Sequence, residues 1–230
     1  TVNPVNVNVV GTYTIIYRVS DVAGNTTVAQ RKVKVLPVIT ADKIVLAPEM
    51  TLDADKQNVV IGVNDVANSV VSVPINVTDA HLDVTALVEQ VDETKKSATI
   101  AGSITVNAET SIGSVQMQMP SAVQVSAPLA WTGMINAPQV KETSSVTLPL
   151  INGRNSIAAA VIEVGADAVP LTLSKAARLV MPAQAGRLVG YTSGALFTLI
   201  TTQCSADTQA AGDALPAEGD CVIPVGNDLV

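Results

Sequence analysis

Short apolar runs rich in valine recur at intervals of about ten residues from Val59 to Leu150, each bounded by turn formers, and this rhythm constrains the fold most. Runs of that length suit short antiparallel strands in a sandwich or barrel. The candidate strands are Val59–Val63, Val70–Val77, Ala98–Val106, Ser114–Met119, Ala122–Val125, Gly133–Ile135 and Ser145–Leu150. Composition agrees with them. The chain is 48% hydrophobic but only 2% aromatic, so Val, Ala, Ile and Thr must build the core, and β-branched side chains favour pleated strands. One stretch breaks the rhythm: in residues 79–93, Asp79 sits where a helix N-cap would, and Leu82, Leu87, Val88 and Val91 give an imperfect helical stripe. Val84 and Thr85 argue against that helix.

The N-terminal region alternates most clearly. Thr12, Thr14, Ile16, Arg18 and Ser20 interleave with Tyr13, Ile15, Tyr17 and Val19, the period of a strand with one buried face. Asp21-Val22-Ala23-Gly24-Asn25 supplies a hairpin turn, because Gly and Asn tolerate positive φ and Asp bonds its own downstream backbone. Val28, Arg31, Val33, Lys34 and Val35 form the returning strand, closed at Leu36-Pro37, where proline cannot continue a central ladder.

The pattern Gly11-Thr12-Tyr13, Tyr17, Asp21 and Gly24-Asn25, followed by the basic, Val-rich Arg31–Val35, resembles the last two strands of the Ig-like repeats of bacterial surface proteins. The resemblance implies an extracellular or cell-surface setting. The family's repeat is several times longer than this stretch, so the segment reads as incomplete at its N-terminus. A lone two-stranded hairpin is marginal in water, and these strands are expected to pair with something else.

The last third reads as further strands: Val161–Val164, Val169–Ser174, Ala177–Pro182, Arg187–Tyr191 and, after a Ser193-Gly194 turn, Ala195–Thr201. Residues from about 155 to 230 resemble an extracellular β-sandwich module distantly similar to the sandwich domain of ankyrins and netrin receptors. Some members of that wider group carry a His-Phe-Ser or His-Phe-Thr self-cleavage strand. The sequence ends at Val230 without that motif, so the activity maps onto no residue here.

Charge and cysteines narrow the classes. With 20 acidic and 13 basic residues the net charge is −7, which argues against nucleic acid as a partner. No apolar run is long enough for a membrane span, and Thr1 to Val10 lacks the positive end and solid apolar run of a signal peptide, so the chain reads as mature or excised. Cys204 and Cys221, the only cysteines, bracket a loop rich in Gly, Ala and Asp. An even pair around such a loop suits a disulfide worth about 3 kcal/mol and an oxidising compartment; two reduced thiols in a cytoplasmic protein are the alternative.

Catalytic residues are expected to be absent, as are a metal and a cofactor. His81 lies between Asp79 and Asp83, but no Ser elbow accompanies it, and it reads as solvated or locally bonded. Asp53-Ala-Asp55-Lys-Gln-Asn58 begins like a calcium loop but lacks the central Gly and distant Glu, so a turn is the better reading. Turn chemistry is also preferred over interdomain calcium at Asp21, Asp65 and Asp79. Trp131 reads as core rather than as an exposed sugar-stacking ring. Lys32, Lys34 and Lys43 sit at positions that read as solvent-facing, which argues against an intramolecular Lys–Asn isopeptide bond of the kind some surface Ig-like folds contain. Leu36–Thr40 is not a sortase signal, since no Gly follows Thr40.

These readings predict an all-β chain of antiparallel β-sandwich domains. The segments are 1–37, a partial Ig-like segment; 38–55, a connector that becomes structured; 56–152, a sandwich; and 153–230, a sandwich with the disulfide loop, either separate or continuous with 56–152. The expected role is a non-enzymatic structural protein of a bacterial surface, assembling into a filament by strand complementation through Tyr13, Ile15, Tyr17, Val19, Val33 and Val35. Identical subunits or neighbouring Ig-like domains are the expected partners. The alternative is a fragment of an adhesin or carbohydrate-binding stalk that meets a carbohydrate or host surface.

Overall fold

Alternation and turn chemistry together produce the first two strands. The computed structural model describes residues 3–6, 9, 11–35, 43–151, 153–166, 169–193, 196–216 and 219–230. In it β1 (Gly11–Ser20) and β2 (Thr26–Val35) form an antiparallel ribbon in register from Gly11 opposite Val35 to Ser20 opposite Thr26. Asn25 closes the turn by donating its backbone amide to Asp21 Oδ1 at 2.8 Å and its side-chain amide to Oδ2 at 2.7 Å. Gly24 takes φ +87°, a left-handed conformation that costs glycine little. The expected strand end at Leu36-Pro37 lies outside the described residues.

The chain divides into two compact units, Thr1–Thr40 with the ribbon and Ala41–Val230 with all the remaining elements. The second unit begins with β3 (Lys43–Val45), β4 (Glu49–Thr51), β5 (Asn58–Val60), β6 (Ser69–Val73) and β7 (His81–Asp83). β8 (Val88–Gln90), β9 (Lys95–Ile100), β10 (Ile104–Thr110), β11 (Gly113–Met119), β12 (Val123–Pro128) and β13 (Met134–Lys141) follow. Then come β14 (Val161–Gly165), β15 (Thr172–Leu173), β16 (Arg178–Val180), β17 (Val189–Ser193), β18 (Leu196–Ile200), α1 (Gln209–Asp213), β19 (Pro224–Val225) and β20 (Asp228–Leu229).

Three sheets share one core. Their orders are β16-β11-β10-β6-β4, β15-β12-β9-β8 and β14-β13-β7-β5-β3. Val59, Leu82 and Ile135 from one sheet, Val71 and Val106 from another, and Ile100, Val123 and Val125 from the third are each at most 2% exposed and belong to a single cluster. Fully burying each such side chain contributes about 1.5–3 kcal/mol. β3 and β4 join these sheets, as do β14, β15 and β16, so segments 38–55 and 153–230 both supply strands to the core that 56–152 builds.

The fold is all-β and sandwich-like, with one difference in pairing. β3, β5 and β7 run parallel in one sheet while β4, β6 and β10 run parallel in another. The chain alternates between those two sheets along β3 to β7, as in the first turns of a coil, and in this unit the antiparallel pairs each include a strand from β8 onward. Period-two patterning sets which face of a strand is buried but not which neighbour it takes.

Four local expectations are corrected. The 79–93 stretch forms β7, a single 3₁₀ turn at Thr85–Leu87 and β8. Leu82 and Val84 are buried on alternate positions and β7 is held between β5 and β13, so sheet pairing overrides the helical stripe; Asp79 has φ 58° and caps nothing. Ala98–Val106 is two strands, because the chain turns at Gly102, whose missing side chain admits the Ala67 carbonyl to within 2.1 Å of a Cβ position. Val70–Val77 stops pairing at Val73, where Pro74 removes the next amide donor. Ser145–Leu150 forms no strand; Pro149 interrupts it and Leu150 is 64% exposed. The Ser193-Gly194 turn falls partly outside the described residues.

Candidate functional site

In an antiparallel pair, directly opposed residues share a face. The register therefore gathers Tyr13, Ile15, Tyr17 and Val19 of β1 with Val33 and Val35 of β2 on one side of the ribbon. All six residues expected to mediate assembly lie there. No described residue of the ribbon is buried, and Val19 is 66% exposed. Tyr13 is fixed by its hydroxyl, which donates to the Val9 carbonyl at 2.8 Å. Among the described residues each ribbon strand has one neighbour, so each also presents an edge of unpaired backbone donors and acceptors.

Cys204 and Cys221 form the expected disulfide. Backbone bonds from Cys204 to Val222 (3.1 Å) and from Val222 to Thr202 (3.0 Å) brace its base. Arg178 on β16 then clamps the loop, donating from Nε to Asp207 Oδ1 at 2.6 Å and from Nη2 to Oδ2 at 2.7 Å, a two-pronged geometry that suits guanidinium and carboxylate. The third nitrogen, Nη1, reaches Gln116 Oε1 on β11 at 3.1 Å. Asp213 Oδ1 accepts the Ala176 amide and Gln209 Nε2 donates to the Ala176 carbonyl, each at 2.9 Å. Gly212 keeps α1 close, since a Cβ there would lie 2.6 Å from that of Ala176.

A polar row crosses the β14-β13-β7-β5-β3 sheet. Lys43, Asn58, His81 and Asn136 are successive register partners on β3, β5, β7 and β13, while their chain neighbours Val59, Leu82 and Ile135 face the core. Asp83, two positions beyond His81 and on the same face, is 3% exposed. Its Oδ2 accepts from Lys43 Nζ at 2.5 Å, and its Oδ1 accepts from the Thr85 hydroxyl at 2.5 Å and the Thr85 amide at 3.0 Å. Burial pushes the Asp83 carboxyl up, but the hydrogen bonds from Lys43 and Thr85 outweigh it and hold the group below its ordinary value. Lys43 is therefore not solvent-facing as expected: its stem crosses β5 to reach β7, leaving the side chain 25% exposed. Lys32 and Lys34 are exposed.

His81 and Asn136 also line a cavity of about 210 Å³ with Met134 and Val169. Trp131, which also lines it, is 1% exposed and donates its indole N–H to the Met134 carbonyl at 2.9 Å, so its ring is core. Asp53 forms a turn, its Oδ1 accepting the Asp55 amide at 2.9 Å, and Asp65 accepts the Gly62 amide at 2.6 Å. Among the described residues no three His, Cys, Asp or Glu side chains gather to hold a metal ion, and no helix is long and apolar enough to cross a membrane. The Lys43–Asp83 and Arg178–Asp207 pairs were missed because their partners lie 40 and 29 positions apart. The Asp83–Thr85 bond was readable locally: the same Asp-x-Thr spacing recurs at Asp92, whose Oδ1 accepts the Thr94 amide at 2.7 Å.

Residues 2–35 match the family model described as bacterial surface protein, Ig-like domain. That segment spans most of the ribbon unit and resembles what its turn and tyrosine pattern indicated. No curated protein and no solved structure matches the chain. The likeness of residues 155–230 to the ankyrin and netrin-receptor sandwich thus gains no support from them.

Proposed function

We propose that the chain is a non-enzymatic structural part of a bacterial surface protein, exposed outside the cell, and that copies associate by β-strand complementation into a filament. The single observation that supports the assembly step is the ribbon's largely apolar face, Tyr13, Ile15, Tyr17 and Val19 with Val33 and Val35 and interrupted by Arg31, none of which is fully buried. Covering it with a neighbouring subunit supplies the apolar burial and edge hydrogen bonds that two strands lack alone. The family match at residues 2–35 and the disulfide support the extracellular setting. Only 14% of residues are charged, so edge-to-edge approach meets little repulsion.

Light scattering and electron microscopy over a concentration series test this. Wild type is expected to form concentration-dependent multimers, and Ile15→Lys with Val33→Asp to remain monomeric while keeping the Trp131 fluorescence of the second unit. A wild-type chain that stays monomeric at high concentration sinks the filament. That result is also the one expected if a neighbouring Ig-like domain, rather than an identical subunit, covers the face.

A further inference from the structure

We propose that Lys43 and Asn58 become joined by an intramolecular isopeptide bond, with Asp83 carrying the proton. Three observations converge on the outermost strands of one sheet. Lys43 and Asn58 are direct register partners on the adjacent parallel strands β3 and β5, so their side chains rise from the same face side by side. The Lys43 stem passes over β5 to place Nζ against Asp83 on β7. Asn58 Oδ1 is buried and has no hydrogen-bond partner among the described residues, an uncompensated acceptor of the kind folded chains rarely keep.

The chemistry balances without an oxidant or cofactor. Asp83, as carboxylate, takes one proton from the Lys43 ammonium and frees a lone pair on Nζ. Nζ then attacks Asn58 Cγ, the Cγ–Nδ2 bond breaks, and a second proton passes from Nζ to Nδ2, which departs as ammonia. One proton stays on Asp83. A part-exposed cation and a buried anion are thereby converted into a neutral amide and a neutral carboxylic acid, which removes the cost of holding the Asp83 charge away from water. The retained proton also places a donor on the face that holds Asn58 Oδ1. Alignment of amine and carboxamide on neighbouring strands supplies the proximity that makes so slow an aminolysis feasible.

The link would tie β3, the first strand of the second unit, covalently to the strand beside it. Under the surface-stalk reading it would bear tension entering from the N-terminal side; that consequence alone rests on the stalk reading, since the bond forms or fails within one chain whether or not copies assemble. Intact-mass measurement of the purified full chain, with the disulfide reduced, is the test. Wild type is expected to be lighter than its sequence by one ammonia, with peptide mapping joining Lys43 to Asn58. Lys43→Arg and Asn58→Ala should each show the full sequence mass, and Asn58→Asp should lose one water instead and arrive at the same cross-linked product. A folded wild-type chain at full mass overturns the proposal, as does loss of water with Lys43 joined to Asp83. Asp83→Ala removes the partner of Lys43 and can unfold the chain, so the wild-type mass decides.

Discussion

The ribbon and the second unit are built from the same residue types and reach opposite outcomes. In β1 and β2, valine, isoleucine and tyrosine largely alternate with polar residues, with a break at Ile15-Ile16, yet no residue there is fully buried. In β10 the same alternation puts Ile104 and Val106 at 0% exposure, because two further sheets cover them. Alternation prepares a face; a stabilising core arises only when a second layer meets it.

Core truncation sharpens that contrast with the largest expected effect. Ile104→Ala should destabilise the second unit by about 2–5 kcal/mol, whereas Ile15→Ala in the ribbon should change it by less than about 0.5 kcal/mol. The sole tryptophan, Trp131, sits in the second unit's core, so denaturant melts followed by its fluorescence read that unit. Equal shifts from the two substitutions would erase the distinction.

Removing the disulfide comes next. Cys204→Ser with Cys221→Ser should cost about 2–4 kcal/mol on the same probe, while the ribbon's far-ultraviolet signature stays as it was. No shift in the melt would mean that the loop is held by Arg178 and α1 alone.

The smallest effect is acid-dependent. The Arg178 hydrogen bonds hold the Asp207 carboxyl below its ordinary 3.8, against a lesser upward push from burial. A carboxyl depressed on folding adds stability that is complete above 3.8 and disappears as pH falls through the lowered value. Side chains 29% and 26% exposed limit this to about 1 kcal/mol or less. Asp207→Asn should remove that part of the acid limb and lower stability near neutrality by the same amount; superimposable pH profiles would show that the fork contributes nothing measurable.

Much of this contrast was legible beforehand, and for identifiable reasons. The ribbon hairpin follows from a mostly alternating pattern plus Asp21, Gly24 and Asn25, all local signals. Cys204 and Cys221 had no other partner to choose. The parallel pairing of β3, β5 and β7 was not legible, because a strand's pattern is identical whichever way its neighbour runs. Lys43 was read from its own strand as exposed; what draws it inward is Asp83, two strands away, and no periodicity carries that information. Trp131 was readable as core because a lone large ring in a valine-rich sheet has few other places to go.

The parallel strands also dictate a timetable. The ribbon closes over a turn of five residues, and hairpins of this kind form in about 1–10 μs. Pairing β6 with β10 instead waits for the 73–104 interval to fold back, and β16 can join β11 only after the chain beyond Met119 has been made. Such distant closures slow folding. On a ribosome the ribbon's residues emerge before those of the second unit, so its two strands can pair early but stay only marginally stable while the later strands are still gathering.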